Sequence, residues 1–294
     1  MQTSGNDATR ERFEAVRRYF TKTPTPPVYG TAVILAVCAA LCTLPALVVI
    51  LMGIGQRQWN SCFSCVSVLS AVAAIALAVP ALLFYRRTKA KYDRDYALAE
   101  PKPSDAQIDT WHDRDCEFYE IYALKRLNLT REQVQTDNKG KPFVVVGSGP
   151  SAQVHRGTDG KLRFSSHEIL VIYLTRYHLA AYKCVVDLHD GLTKTEVTHE
   201  YHYSDVVSVS TQRNQSKVTL YVEGQPQDVM VNECFTLSIS NGEQISVATD
   251  FDESLKLLQG TTNFARTSPE SAVTSIRTRL RQFKGGTSDT GPLS

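Results

Sequence analysis

Residues 30–55 read GTAVILAVCAALCTLPALVVILMGIG, and residues 61–85 read SCFSCVSVLSAVAAIALAVPALLFY. No charged residue occurs from Val28 to Gly55 or from Gln58 to Tyr85. A helix rises about 1.5 Å per residue, so about 20 apolar residues cross a hydrocarbon layer of about 30 Å. Both stretches are longer than that, and neither has a polar face for water to solvate. A cleaved signal peptide would have an apolar region of only about 7–15 residues nearer the start, and it would leave the second stretch unexplained. The expectation is a membrane α-hairpin over residues 28–86, with helices at 29–54 and 62–85. Pro45 and Pro80 are tolerated in such helices because neighbouring groups satisfy the freed carbonyls, and each predicts a kink.

The flanks set the orientation. Arg10, Arg12, Arg17, Arg18 and Lys22 precede the first stretch, and Arg86, Arg87, Lys89, Lys91 and Arg94 follow the second. The intervening loop carries only Arg57. Cations stay on the cytoplasmic side, so both termini are expected in the cytoplasm and the loop outside, as a multi-pass protein of a plasma (inner) membrane. Tyr29, Trp59 and Tyr85 suit the interfacial aromatic belt. Arg86, Arg87, Lys89 and Lys91 are candidates for contact with anionic headgroups as well as topology signals. Within the stretches there is no Asp, Glu, Lys or Arg, the groups an ion or proton path normally uses. A simple anchor is the plainer expectation. Small residues such as Ala36, Ala39, Ala40, Ser67, Ser70, Ala71 and Ala74 leave homo-oligomerisation open.

The whole chain has 294 residues, a net charge of +2 and 43% hydrophobic residues. Near-neutral charge disfavours a nucleic-acid binder. The seven cysteines are odd in number and scattered, which is not a secreted disulfide framework. Cys62 and Cys65 have redox-pair spacing at a helix start, but no thioredoxin-like βαβ pattern surrounds them.

Behind the hairpin, residues 1–27 being a cytoplasmic segment, the composition becomes polar. Residues 87–141 are expected to form a helical connector, with Pro101 and Pro103 as a break and a helix starting at Ser104 or Asp105. From residue 142 the apolar period drops to two. Strands are expected at 142–146, 162–164, 168–175, 177–188, 194–203, 206–211, 217–222, 234–240 and 244–248. Turns are expected at Asp159-Gly160, Asp190-Gly191, Asn214–Ser216 and Asn241-Gly242. Ser268-Pro269-Glu270 opens a last helix with an apolar face of Ala272, Val273, Ile276, Leu280 and Phe283 and a basic C-terminal half. Residues 142–286 are therefore an α+β domain, an antiparallel sandwich or partly open barrel with a C-terminal helix, and 287–294 a disordered tail.

Short antiparallel strands closed by one amphipathic helix resemble the pleckstrin-homology-like (PH-like) superfold over residues 160–284. Tyr203-Ser204-Asp205-Val206-Val207-Ser208-Val209 resembles the strand entry Y-x-D-I/V-x-x-V of bacterial PH-like and GRAM-like domains. The resemblance implies a bacterial protein whose β domain stands beside transmembrane helices. The dense Lys/Arg cluster that reads inositol phosphates is missing from the first hairpin, and no ligand residue carries over.

No catalytic constellation stands out. Gly147-Ser148-Gly149-Pro150 lacks the length and terminal Lys-Ser/Thr of a phosphate loop. His189 and His199 meet only if the Asp190-Gly191 hairpin aligns them, and His199 and His202 point to opposite faces of a regular strand. His167-Glu168, Asp187 and Glu200 form acid–base pairs on paper only. No metal and no cofactor is expected. Arg213 and Lys217, read as sharing one hairpin loop, are the candidates for an acidic partner. The expected function is a membrane-anchored, non-enzymatic module that binds a lipid headgroup, peptide or protein at the cytoplasmic face. The alternative is an oligomerising effector or pore whose β domain senses a signal.

Overall fold

A computed structural model describes residues 3–53, 61–134, 141–212, 216–251, 261–262 and 267–285. The chain forms two compact units, residues 23–100 and residues 1–22 with 101–294. Its helices are α1 (Thr3–Phe20), α2 (Gly30–Gly53), α3 (Ser61–Ala99), α4 (Asp105–Arg126) and α5 (Pro269–Gly285).

Residues 23–100 hold α2 and α3, which pack against each other. Ala32, Ala39, Ala74 and Ala81 are buried there, while Val33, Ile34, Val37, Leu69, Val72 and Ile75 are exposed. Small residues let helix backbones approach, and the large apolar ones face outward. The Tyr29 and Tyr85 rings lie 4.9 Å apart at one end of the pair. Among the described residues, one helix is long and apolar enough to cross a membrane: Val68–Ala99, whose mean hydropathy reaches 2.3. The helix expected to stop at 85 runs on to Ala99. Arg, Lys, Ala and Leu are good helix formers, and the first breaker is Pro101.

The other unit begins with α1, which was not anticipated within the N-terminal segment. Its Val16, Tyr19 and Phe20 pack with Ile108 of α4 and with Leu188. These positions lie three and four apart on one helical face. α4 starts at Asp105, as expected, and Ser104 caps it: its hydroxyl accepts a hydrogen bond from the Gln107 N–H at 3.3 Å.

Among the described residues eleven strands follow: β1 (Phe143–Ser148), β2 (Gln153–Arg156), β3 (Lys161–Phe164), β4 (Ser166–Leu174), β5 (His178–Asp187), β6 (Leu192–His202), β7 (Val206–Gln212), β8 (Lys217–Val222), β9 (Gln225–Ile239), β10 (Gln244–Phe251) and β11 (Thr261–Thr262). They make two sheets, including a curled half-barrel. One sheet has the order β1-β4-β5-β6, all antiparallel. The other runs β10-β9-β8-β2-β3-β11, with β7 also paired to β9, and its β2–β8 and β3–β11 pairs are parallel.

The first sheet departs from a half-buried pattern. Every residue of β1 is buried, and β4 nearly so. One face, with Val144, Ile169, Val171, Ala180 and Tyr182, packs on Cys116, Tyr119 and Ala123 of α4 and on Leu220 and Phe251. The other, with Phe143, Val145, Leu170, Ile172 and Ala181, packs on Phe235, Leu237, Val247 and α5. Runs such as FVVV and ILVIYL have no alternation because both faces are covered. Gly147 marks the seam, since a Cβ there would lie 2.1 Å from the Ala248 carbonyl oxygen.

The second sheet corrects one expectation, a β7–β8 hairpin. β7 and β8 are not paired with each other: both pair antiparallel with the 15-residue β9, one after the other, and Asn214 and Gln215 of the expected turn lie outside the described residues. The reversal falls at Glu223 and Gly224, whose φ values of 51° and 81° form a two-residue hairpin turn. Asn241-Gly242 does join β9 to β10, with Gly242 at φ 88°. The tail 287–294 lies outside the described residues.

Candidate functional site

The Tyr203–Val209 motif builds one wall of a surface groove. Tyr203 is fully buried, and its hydroxyl donates to the Thr175 carbonyl at 2.8 Å, which fixes the corner between β6 and β7. Asp205 holds the same corner through its backbone, donating to the His202 carbonyl and accepting from the Ser240 N–H, both at 2.9 Å. Val206 pairs with Ile239 and Ser208 with Ser238, so Val207 is the extra residue of a β-bulge. The bulge lets Val206 and Val209, three apart, both point inward while Val207 is turned out, 63% exposed. The motif's spacing thus follows from a corner and a bulge, not from ligand contact.

The opposite wall is α5. Ser268 caps it, with its hydroxyl accepting from the Ser271 N–H at 3.2 Å. Ala272, Val273, Ile276 and Leu280 bury one face, as the periodicity requires. Phe283 stays 41% exposed beside Tyr203, ring centres 5.4 Å apart. The neighbouring face brings Arg277, Arg281 and Lys284 over β7, closing a groove of about 330 Å³. The Arg277 Nε donates to the Val209 carbonyl at 3.1 Å and Lys284 Nζ to the Val206 carbonyl at 3.0 Å. Two carbonyls of β7 are thereby occupied, which blunts that edge against pairing with another strand. The groove presents positive charge beside an exposed apolar ridge.

Arg86, Arg87, Lys89 and Lys91 are exposed on the C-terminal half of α3, within residues 23–100. At 3.6 residues per turn, Arg87, Lys91 and Arg94 share one face of that helix. Lys217 is exposed, but it opens β8 opposite Met230 and so is not in a hairpin loop. Arg213 lies outside the described residues. Arg277, Arg281 and Lys284 carry the groove's charge, and their legible signal was the basic half of an amphipathic helix.

His189 and His199 are not brought together by the hairpin. His199 pairs with Ala181, seven residues along β6 from the turn, while His189 stays at the turn. There its ring nitrogen sits 3.0 Å from Asp187 and its ring packs on Phe20. Among the described residues no group of three or more His, Cys, Asp and Glu is placed to hold a metal. His167 is buried with its ring 4.2 Å from that of His112. Burial, then the neighbouring His112, hold it well below the usual histidine range.

Two polar centres have no counterpart in the linear reading. Arg163, buried on β3, is forked onto Asp109 by two bonds of 2.8 Å and onto Asp159 by two of 2.9 Å. Beside it, Asp105 accepts from the Tyr19 hydroxyl at 2.6 Å and the Thr158 N–H at 2.7 Å, so α1, α4 and the β2–β3 hairpin meet there. Lys183 on β5 pairs with Glu168 on β4 at 2.7 Å and also donates to the Ser246 carbonyl at 2.7 Å. Burial raises the Glu168 carboxyl and Lys183 pulls it part of the way back. Burial pushes the nearby Cys184 thiol up to about 12, so it stays protonated and unreactive.

Comparison with protein-family models, curated proteins and solved structures finds no match.

Proposed function

We propose that this chain is a membrane-anchored, non-enzymatic interaction module whose two-sheet unit engages anionic headgroups of the bilayer through the groove between β7 and α5. The observation that carries the reading is the set Arg277, Arg281 and Lys284 lining that groove next to exposed Val207. Cations flanking an apolar ridge suit a membrane surface, where each Lys or Arg near anionic lipid contributes about 1 kcal/mol. The anchor in this proposal is the two-helix hairpin, with α2 and α3 both crossing, both termini cytoplasmic and Arg86, Arg87, Lys89 and Lys91 at the inner surface. Tethering raises the effective concentration of weak headgroup binding.

A PH-like fold for the two-sheet unit is part of the same proposal. The β1-β4-β5-β6 meander, the β7/β8–β9–β10 meander and the closing helix α5 support it. The β2–β3 hairpin and β11 are additions to that plan.

The test is hydrogen exchange on the full chain in nanodiscs of neutral lipid and of neutral lipid with about one-third phosphatidylglycerol, across a salt series. Added protection of 206–212 and 269–284 in the anionic discs is expected, fading as salt rises. It is also expected to be lost when Arg277, Arg281 and Lys284 are all changed to Gln. Equal exchange in both discs sinks the headgroup reading and leaves an acidic protein partner. An oligomerising effector would in addition release a dye trapped in vesicles, which an anchor does not.

A further inference from the structure

Within residues 23–100, α3 outruns its partner α2. Ala74 and Ala81 of α3 are buried where the two helices pack. The same stripe continues at seven-residue intervals to Thr88 and Asp95, and beside it runs a second, Tyr85, Tyr92 and Ala99. Thr88, Tyr92 and Asp95 are half-buried and Ala99 is fully buried, while every other residue from Arg86 to Leu98 is exposed. Positions alternately three and four apart lie on one helical face. α2 cannot cover this part of the face, because it begins at Gly30 and its neighbour Tyr29 already meets Tyr85.

Residues 23–29 run there instead. Two contacts bracket them along the helix: the Tyr29 and Tyr85 rings, 4.9 Å apart, and the Thr23 hydroxyl, which donates to the Glu100 carboxylate at 2.8 Å. From Tyr85 to Ala99 a helix covers about 21 Å. The six steps from Thr23 to Tyr29 cover about 19 Å as polyproline II, and hardly more when fully extended. The segment therefore runs extended and antiparallel to the helix. Pro24, Pro26 and Pro27 favour that course, since each holds φ at about −65°. Burial repeats at the polyproline II period of three: Pro24 and Pro27 are half-buried, and Thr25, Pro26 and Val28 are exposed.

The cations stay off this seam. Arg86, Arg87, Lys89, Lys91 and Arg94 are all exposed, and all lie within about 14 Å of Tyr85 along the helix. A helix lying flat on a membrane turns its cation-free stripe to the lipid. Here that stripe is covered by the chain itself.

We infer that residues 23–29 and 86–99 form a braced strut that stands off the bilayer and holds both attachment points, Thr23 and Glu100, about 20 Å beyond the inner-surface tyrosine pair. Its role is that of a spacer, which fixes the height at which the rest of the chain is attached. A lone helical stretch of about 14 residues is marginal in water, and the proline segment is what makes it stiff. The height is counted from Tyr85, so the strut rests on the two-pass hairpin reading. It does not depend on headgroup binding by the α5 groove: the nine residues of β4 alone span about 30 Å, longer than the strut, so that binding stays within reach.

The experiment uses the full chain in neutral-lipid nanodiscs doped with a nickel-chelating lipid, in a background with Cys38, Cys42, Cys62 and Cys65 changed to serine. Spin labels are placed one at a time at Lys89→Cys and Leu98→Cys, about 6 Å and about 20 Å beyond Tyr85. Strong relaxation by surface nickel is expected at 89, and several-fold weaker relaxation at 98. Equal, strong relaxation at both means that the helix lies on the surface and overturns the strut. Relaxation at neither overturns the two-pass hairpin and the strut's height with it, whereas failure of headgroup binding leaves both labels unchanged. Hydrogen exchange tests the brace directly. Pro24→Gly with Pro27→Gly strips the buried face of the segment and is expected to speed exchange of amides 92–99 by roughly tenfold. Thr25→Gly with Pro26→Gly loosens the same backbone on its exposed face and is expected to change that exchange far less. Equal exchange in the two double variants would overturn the packing of the segment on α3.

Discussion

Arg163 is the residue on which three segments depend. It is 6% exposed and surrounded by Asp105, Asp109 and Asp159. Replacing it leaves Asp105 and Asp109 without their cation, while Asp159 keeps Lys161 at 3.8 Å. Because Asp109 and Asp159 are partly exposed, the loss is expected below the about 3–5 kcal/mol of a fully buried pair. Arg163→Met is therefore expected to lower the melting temperature and to expose α1 and the β2–β3 hairpin to hydrogen exchange. A pH dependence accompanies it. Burial acts to raise Asp105, but hydrogen bonds from Thr158 and Tyr19 outweigh it, and bonds from Arg163 and the Lys161 N–H lower Asp159. A depressed carboxylate contributes stability that is complete above its unfolded pKa, near 4, and is lost as pH falls through the folded value. The protection factor of α1, exchange corrected for the intrinsic pH dependence, should thus be flat from pH 7 to about 5 and fall below about 4. A fall beginning near pH 6 would point to histidine instead. At Gly147 the 2.1 Å approach to the Ala248 carbonyl makes Gly147→Ala a wedge between the sheets. Overpacking of this kind costs roughly 1–3 kcal/mol, to be read as a fall in thermal stability. None of these roles was legible in order along the chain: Arg163 and Asp109 are 54 positions apart. By contrast Ser104, Ser268 and Asn241-Gly242 could be read locally, because a cap or a tight turn is decided within four residues.

Among the elements, β7 to β9 show where local signals end. The glycine of Asn241-Gly242 advertises a hairpin, and Asn214–Ser216 resembles a turn equally well. The true reversal at Glu223-Gly224 puts a glutamate at φ 51°, a poor residue for that conformation. Its neighbour should be sensitive: Gly224→Ala, at φ 81°, is expected to cost about 1 kcal/mol. Glu223→Asn should instead raise the melting temperature slightly, since asparagine tolerates the left-handed region and the exposed Lys22–Glu223 pair contributes little. A fall in stability for Glu223→Asn would show that the ion pair outweighs the backbone. Strands β1, β4 and β5 were found by their apolar runs, but the alternation expected of them was not there. A strand covered on both faces has no solvent side to mark with polar residues. β11 escaped because two residues are too short for a period to register, and β2, QVHR, because Val154 is its one apolar residue.

At the scale of the whole molecule, the chain leaves the two-sheet unit at residue 22, passes through α2 and α3 and returns at residue 101. The hairpin proposal makes a direct prediction about sidedness. In a background with Cys62 and Cys65 changed to serine, Gln58→Cys should react with a membrane-impermeant thiol reagent from outside the cell. Ser204→Cys, exposed on the two-sheet unit, should react only after permeabilisation. Reaction of both from the same side would exclude a two-pass hairpin. The sequence by itself determined the apolar segments, the switch from helical to strand periodicity near residue 142 and the amphipathic closing helix. Each of these is a repeat of burial within one element, written in neighbouring residues. Only the tertiary structure decided that α1 folds onto α4, that the first sheet is covered on both faces, and that Asp105, Asp109 and Asp159 gather on Arg163. Those features are contacts between residues far apart in the chain, and no local period records which distant side chain will fill a given space.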